Sequence, residues 1–434
     1  MTADAESDSP RDELRRTLGL FDAVVIGLGS MLGAGIFAAL APAAQAAGSG
    51  LLLGLAVAAV IAYCNATSSA KLAALYPASG GTYLYGRKRL GDFWGYLAGW
   101  GFVVGKIASC AAMALTTGAY VWPSHAHAVA VGAVVAMTMV NYFGVQKAAW
   151  LTRLIVTVIL AVLAMVVASV VVAGAASSGR LAIPASASIT GVLQAAGLLF
   201  FAFAGYARIA TLGEEVRDPS RTIPRAIPLA LGITLGVYAA VAIAAESALG
   251  PAGLAKSVAP LSDVVRVSGA GWMVPVVGAG AAVAALGSLL ALILGVSRTS
   301  FAMARDGHLP HVLAAVHPRY KVPHRTELTI GIAVAILAAF TDIRHAIGFS
   351  SFAVLIYYAV TNASALTLRN DNGKSRYIVP VVGLLGCLTL AFFMPLRSIA
   401  AGLIVALIGV AYYVARRTIS RRNRVRAAKN SGFD

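Results

Sequence analysis

The sequence predicts an all-α integral membrane protein of about twelve transmembrane helices, and three observations predict it. Of its 434 residues, 59% are hydrophobic and only 12% are charged, too few charges for the surface of a water-soluble chain. The apolar residues are gathered into runs of about 20, the length that crosses roughly 30 Å of hydrocarbon. Those runs are continuous rather than alternating, which excludes a barrel of strands. A helix is then the remaining way to pair every backbone group in lipid.

In chain order the predicted spans are 19–43, 50–72, 93–122, 126–144, 150–174, 190–213, 227–248, 272–299, 328–342, 346–367, 378–395 and 398–415. Residues 1–18 are polar and mixed in charge, with no signal-peptide cleavage pattern, and read as a tail ahead of a retained first span. Residues 19–415 read as one membrane domain. Residues 416–434 read as a basic tail without structure beyond its contact with lipid.

The formal net charge of +17 invites a nucleic-acid partner, but its placement argues for topology instead. Of 34 basic residues, 27 fall in the termini and in the loops and span ends on their side. Five, Arg180, Lys256, Arg266, Arg344 and Arg397, fall on the opposite side, and Lys106 and Arg208 lie within spans. This bias places both termini in the cytoplasm and the chain in the cytoplasmic (inner) membrane. Anionic lipid is the expected partner of the excess charge, not nucleic acid.

Cys64, Cys110 and Cys387 sit in apolar runs without a metal-ligating neighbour and read as small buried residues. The seven histidines fall in loops or at span ends. No catalytic triad, phosphate loop or zinc motif is present, so neither an enzyme nor a resident cofactor is expected; a proton is the one coupling ion considered.

Two spans carry signs of a break. Span 1 reads Gly29-Ser30-Met31-Leu32-Gly33-Ala34-Gly35-Ile36-Phe37. Each glycine weakens a helix by close to 1 kcal/mol against alanine. The glycines either let neighbouring helices approach closely or let the helix unwind and expose backbone donors. Span 6 reads Phe200-Phe201-Ala202-Phe203-Ala204-Gly205-Tyr206-Ala207-Arg208, a mid-span glycine followed by a charge. Five spans apart, the two run in opposite directions. Paired interruptions at corresponding places in two halves point to a transporter site between inverted repeats. A half-helix N-terminus suits a carboxylate, and the carbonyls that end the other half suit an ammonium group. Two facing breaks can hold a zwitterion without a charged side chain.

Four motifs, in order, resemble the amino acid–polyamine–organocation superfamily across most of residues 19–416. They are Gly33-Ala34-Gly35-Ile36-Phe37; Leu75-Tyr76-Pro77-Ala78-Ser79-Gly80-Gly81-Thr82-Tyr83; Phe201-Ala202-Phe203-Ala204-Gly205, followed by Glu214-Glu215 and Asp218-Pro219-Ser220-Arg221-Thr222-Ile223-Pro224; and Ser297-Arg298 with Ala304-Arg305-Asp306-Gly307-His308-Leu309-Pro310. The resemblance implies a leucine-transporter-like fold, a 5+5 inverted repeat with helices 1 and 6 broken. It also implies secondary transport of an amino acid by alternating access, as proton-coupled symport or as exchange. It implies a substrate held by the backbone of Met31, Gly33, Ala34 and Gly35 and of Phe203, Ala204 and Gly205, with Phe201 closing over it. Ordinary packing is the plainer role for Phe201 and Phe203.

Charges within spans carry the remaining expectations. Lys106, mid-span in span 3, either contacts an anionic part of the substrate, couples proton movement to transport, or simply reaches carbonyls in the bundle. Similar proteins carry a lysine in span 5, where Val158 or Ile159 stands here, so that coupling device does not transfer. Arg208 reads as a gate or a structural pair, with Asp22, Glu214 or Glu215 as partner. A membrane sensor that binds an amino acid without moving it, and a polyamine transporter, are the competing readings. Lys106 disfavours a cationic substrate.

Overall fold

The computed structural model describes residues 18–76, 80–144, 149–182, 188–210, 212, 215–368 and 375–430. The second motif's Pro77-Ala78-Ser79, residue Glu214, and residues 1–17 and 431–434 of the tails predicted at 1–18 and 416–434 lie outside the described residues. Among the described residues the chain is helical almost throughout, with one isolated bridge between Leu18 and Val216.

Span 1 is three pieces: α1 (Leu20–Met31), α2 (Ala34–Ala38) and α3 (Leu40–Ala47). Gly48, with φ +55°, turns the chain into α4 (Leu51–Leu75). There follow α5 (Gly81–Arg89), α6 (Asp92–Val121), α7 (Ala126–Tyr142) and α8 (Ala149–Val172). Span 6 is α9 (Ile189–Phe203), a tight turn at Ala204–Tyr206, and α10 (Ala207–Ala210). Beyond it lie α11 (Pro219–Lys256), α12 (Pro260–Val267), α13 (Val274–Arg305), α14 (His324–Phe340), α15 (Ile343–Leu366), α16 (Ser375–Phe392) and α17 (Leu396–Asn430).

Ten helical stretches among the described residues are long and apolar enough to cross a membrane. The predicted spans at 328–342 and 378–395 fall on the shorter α14 and α16. One expectation fails at the C-terminus: α17 stays helical to Asn430, where a structureless tail was predicted from 416. Arginine, lysine and alanine are good helix formers, and the apolar span ahead of them supplies the nucleus that an isolated segment lacks.

The buried side chains form two clusters. One joins α1–α4, α8–α12, α15 and α16 with parts of α5, α6 and α13; the other joins the remaining faces of α6 and α13 with α7 and α14. Small residues set the spacing between helices, as expected where lipid supplies no hydrophobic drive. A Cβ on Gly105 of α6, for example, would lie 2.8 Å from the Ala353 Cβ of α15.

The two interrupted spans run in opposite directions. The start of α1 and the chain beyond α10 share one end of the molecule, where Leu18 N–H donates to Glu215 O (3.1 Å) and Arg217 N–H to Leu18 O (2.9 Å). Their interruptions touch. A Cβ on Gly205 would collide with Ser30 O and lie 2.7 Å from Met31 N; one on Gly35 would lie 2.6 Å from Ala202 Cα. The two readings of the span 1 glycines are thus divided among positions. Gly33 stands in the non-helical link between α1 and α2, with ψ −147°, and Gly35 is helical and serves close approach. Gly205→Ala is accordingly expected to destabilise the fold by about 1–3 kcal/mol through overpacking. A lowered unfolding midpoint of the detergent-purified variant checks this, and an unchanged midpoint would contradict the contact.

Candidate functional site

A cavity of ≈ 330 Å³ opens beside the touching breaks, at the seam between the two clusters. One wall is Ser30 of α1 with Phe201, Ala204, Gly205 and Arg208 of span 6. The facing wall is Phe102, Lys106, Ser109 and Met113 of α6 with Ser288, Leu292, Arg298 and Thr299 of α13. The cavity runs toward the end of the molecule that holds Gly80, Tyr83, Glu215 and Arg305. The cavity's lining does not extend to Phe37, Tyr120 and Leu261 at the other end. Tyr120 donates its hydroxyl to Phe37 O (2.8 Å) and accepts from Leu261 N–H (3.2 Å), with the Phe37 ring edge-on to it.

Of the predicted substrate-binding residues, Phe201, Ala204 and Gly205 line this cavity, whereas Met31, Gly33, Ala34, Gly35 and Phe203 do not. Each of the five has another occupation. Met31 O accepts from the Tyr238 hydroxyl; the side a Cβ of Gly33 would fill is taken by Ser288; Gly35 abuts Ala202. Ala34 is buried, and Phe203 packs on Tyr238 with ring centroids 5.1 Å apart. Ser30, one residue before Met31, is the α1 residue that reaches the cavity.

Residues that the sequence reading passed over hold the breaks in place. The Tyr238 hydroxyl of α11 lies within reach of both Met31 O and Ala202 O (3.0 Å), so one side chain ties the two interrupted spans. The Tyr358 hydroxyl of α15 donates to Ala204 O (3.4 Å), and Ser288 Oγ to Gly29 O (3.4 Å). These are carbonyls freed near the interruptions, and buried carbonyls need donors. No period or motif singled these residues out; a tyrosine in an apolar span looks like any packing aromatic.

A family model described as amino acid permease matches residues 18–415. The chain belongs to the amino acid permease family. It is 72% identical over 413 residues to an uncharacterized transporter of Mycobacterium tuberculosis, covering 95% of this chain and 94% of that one. It is 25% identical over 448 residues to a branched-chain amino acid permease of Bacillus subtilis, covering 96% of each. Human cationic amino acid transporter 4 is 28% identical over 393 residues, covering 84% of this chain and 61% of that one. With its apolar helices, the permease is a multi-pass membrane protein.

Lys106 faces the permease cavity and is 7% exposed. Among the described residues no side chain or carbonyl hydrogen-bonds it; its neighbour one turn on is Cys110. Arg208 also lines the cavity, with Glu215 and Arg298. Asp22 is not its partner: that carboxylate pairs with Arg153 of α8, which also lies over the Phe21 ring. The cause is geometric, since Asp22 stands in the first turn of α1, near the molecular end, while Arg208 stands in α10 beside the cavity. Of the two span 5 positions, Ile159 is buried and Val158 is 36% exposed.

Two of the sequence motifs meet at the cavity mouth. Tyr83 donates to Asp306 (2.8 Å), and its oxygen lies 2.9 Å from His308 Nδ1. Arg87 pairs with Asp306 and, at 3.1 Å, with Asp92. Tyr96 packs edge-on to His308 at 5.6 Å. This network pins α5 to the end of α13. Burial, and then the Arg87 charge, holds the His308 imidazole below its ordinary value of 6.5, so the network favours neutral His308. A lowered histidine contributes stability above its unfolded value that is lost as pH falls past it. The unfolding midpoint should therefore drop on acidification below about pH 6.5, and His308→Gln should flatten that drop. An identical pH profile in the variant would remove His308 from the network's titration.

Proposed function

We propose that this protein is a secondary transporter that carries an amino acid across the cytoplasmic membrane by alternating access. Its twelve spans are arranged as a 5+5 inverted repeat with two appended, and both termini are cytoplasmic. The observation that carries the reading is the cavity built against two touching, oppositely directed helix interruptions. Irregular backbone is tolerated at membrane depth only where it is buried or lines a cavity. Here it does both, and the cavity is at the lower end of the ~300–1,000 Å³ typical of ligand sites. With the basic end facing the cytoplasm, the described conformation is open inward and shut outward at Tyr120.

Backbone polar groups at Ser30 and at 204–205 take the substrate's amino and carboxyl groups, and Phe201 packs against its side chain. The charged side chains on the walls are Lys106, Arg208, Arg298 and Arg305 against Glu215. That balance repels a cationic side chain and favours neutral or acidic amino acids. The branched-chain permease relative fits this preference; the cationic transporter relative does not, and the wall charges weigh more here than a likeness of 28%. A polyamine is disfavoured by the same charges. The cycle is driven by a proton gradient or runs as exchange.

Counterflow in proteoliposomes tests the reading. Protein reconstituted with unlabelled leucine or glutamate inside should accumulate the labelled amino acid transiently. Binding by thermal shift without counterflow in any gradient would instead identify a sensor. Lysine or arginine as best substrate would refute the charge argument. Lys106→Met is expected to weaken apparent affinity for the acidic substrate about tenfold or more, the loss of one charge-assisted hydrogen bond. Unaltered affinity would take Lys106 out of the side-chain subsite.

A further inference from the structure

Glu327 is one of two buried acids, the other being Glu246 of α11, that the transport reading leaves unused, and it is the one beside the cavity wall. It stands in the first turn of α14 and is 0% exposed. Among the described residues neither carboxyl oxygen has a hydrogen-bond partner of normal geometry, and no basic side chain forms a salt bridge with it. Acids in a first helical turn commonly bond their own helix's free N–H groups; this one does not. Ser297 of α13 is the polar side chain beside it, itself fully buried and its hydroxyl also without a well-formed bond.

The groups around it are few. Helices α6, α7 and α13 and the turn His311–Ala314 pack against α14. The charged or titratable side chains facing Glu327 are Arg298 from α13 and Cys110 from α6. Tyr142 of α7 lies against His324 instead, at 6.4 Å, and His311 is exposed. On its own helix Arg325 is exposed and His324 partly so. Arg298 and Lys106 both line the cavity, and Lys106 precedes Cys110 by one turn. Glu327 therefore sits one layer behind the cavity wall, on the far side of the α6–α13 seam.

An ionised carboxylate at this depth, with only the Ser297 hydroxyl beside it and the Arg298 charge facing it, is costly to keep, and intramembrane acids of this kind mark proton paths. We propose that Glu327, buried behind the Lys106–Arg298 wall, is the proton-carrying residue of the transport cycle. The proposal rests on the transport reading above. One proton from water at one face adds to a Glu327 carboxyl oxygen. The same O–H bond breaks at the other stage of the cycle, and the proton leaves to water at the opposite face. No electrons move and no other reactant is needed.

The test compares Glu327→Gln and Glu327→Asp with wild type in proteoliposomes, with the membrane potential clamped. An inward proton gradient of one pH unit can support about tenfold accumulation at one proton per substrate. Wild type and E327D should approach it. E327Q should fall to an accumulation ratio near one while counterflow at equal pH stays within about threefold of wild type. Tenfold accumulation by E327Q overturns the proposal. So does loss of the gradient response in Lys106→Met but not in E327Q, which would put the proton on Lys106 and leave proton coupling standing. Wild-type counterflow with no response to the gradient overturns it too, leaving an exchanger; no wild-type counterflow at all refutes the transport reading itself. Where E327Q does not fold, a substrate-dependent infrared carbonyl band of a neutral carboxylic acid decides the matter: E327D should shift it, and an unshifted band overturns the proposal.

Discussion

Two backbones in direct contact inside a membrane are the constraint on which the rest of this structure depends. Gly205 lies on the peptide between Ser30 and Met31, and Gly35 lies on Ala202. No side chain fits at either place, so the two spans can meet only where both have given up bulk. Giving up bulk weakens each helix, and each is interrupted at or beside its contact, α1 at 32–33 and span 6 at 204–206. The freed carbonyls cannot be left to lipid. Tyr238, Tyr358 and Ser288 reach in from α11, α15 and α13 to bond them. Three further helices are thereby fixed around the contact, and the cavity lies where α6 and α13 leave room beside it.

The two ends of the bundle around the cavity are held by different contacts. On the closed side, Tyr120 gathers α2, α6 and the start of α12 through one hydroxyl. On the open side, the polar network around Asp306 joins α5 to α13 at the edge of the cavity without crossing it. A buried hydroxyl with both donor and acceptor used is worth roughly 1–3 kcal/mol to leave intact. Exposed ion pairs are worth less, with a median of about 0–1 kcal/mol. The mouth carries both kinds, the buried Tyr83 hydroxyl bonded to Asp306 and the part-exposed Arg87 ion pairs.

The breaks were legible in the sequence because glycine spacing and a mid-span charge are local signals. Which glycine unwinds and which packs was not, because that depends on Ala202 and Ser288, some 170 and 250 residues further on. Asp22 illustrates the same limit: its partner Arg153 is chosen by how α1 lies on α8, not by depth alone. The site residues predicted from the motifs split for one reason. Where a neighbour packs against the backbone or side chain, as Tyr238, Ser288 and Ala202 do at Met31, Gly33 and Gly35, the residue is kept from the cavity. Glu327 was missed by a different route. Hydropathy began span 9 at 328, after the polar run His324-Arg325-Thr326-Glu327, whereas the helix begins at His324 and packing against α6 and α13 buries Thr326 and Glu327 in its first turn. A hydropathy window sees an acid at a span end as loop; only tertiary contact moves it inside.

On the coupling proposed for Glu327, charge placement around the cavity would give a reason for a proton and a substrate to travel together. Two unit charges about 10 Å apart at an effective dielectric of ~20 interact by roughly 1–2 kcal/mol, enough for about a tenfold bias. With no substrate present, an ionised Glu327 behind the wall would be set against the cationic wall of Lys106 and Arg298, Arg298 being the charge that faces it. A substrate carboxylate arriving beside Lys106 takes over that role, and a second negative charge behind the wall then becomes unfavourable. Substrate binding thus favours the protonated acid, and by reciprocity a protonated acid favours substrate binding. The linkage needs no contact between Glu327 and the substrate, only a cationic wall that both negative charges would compete for.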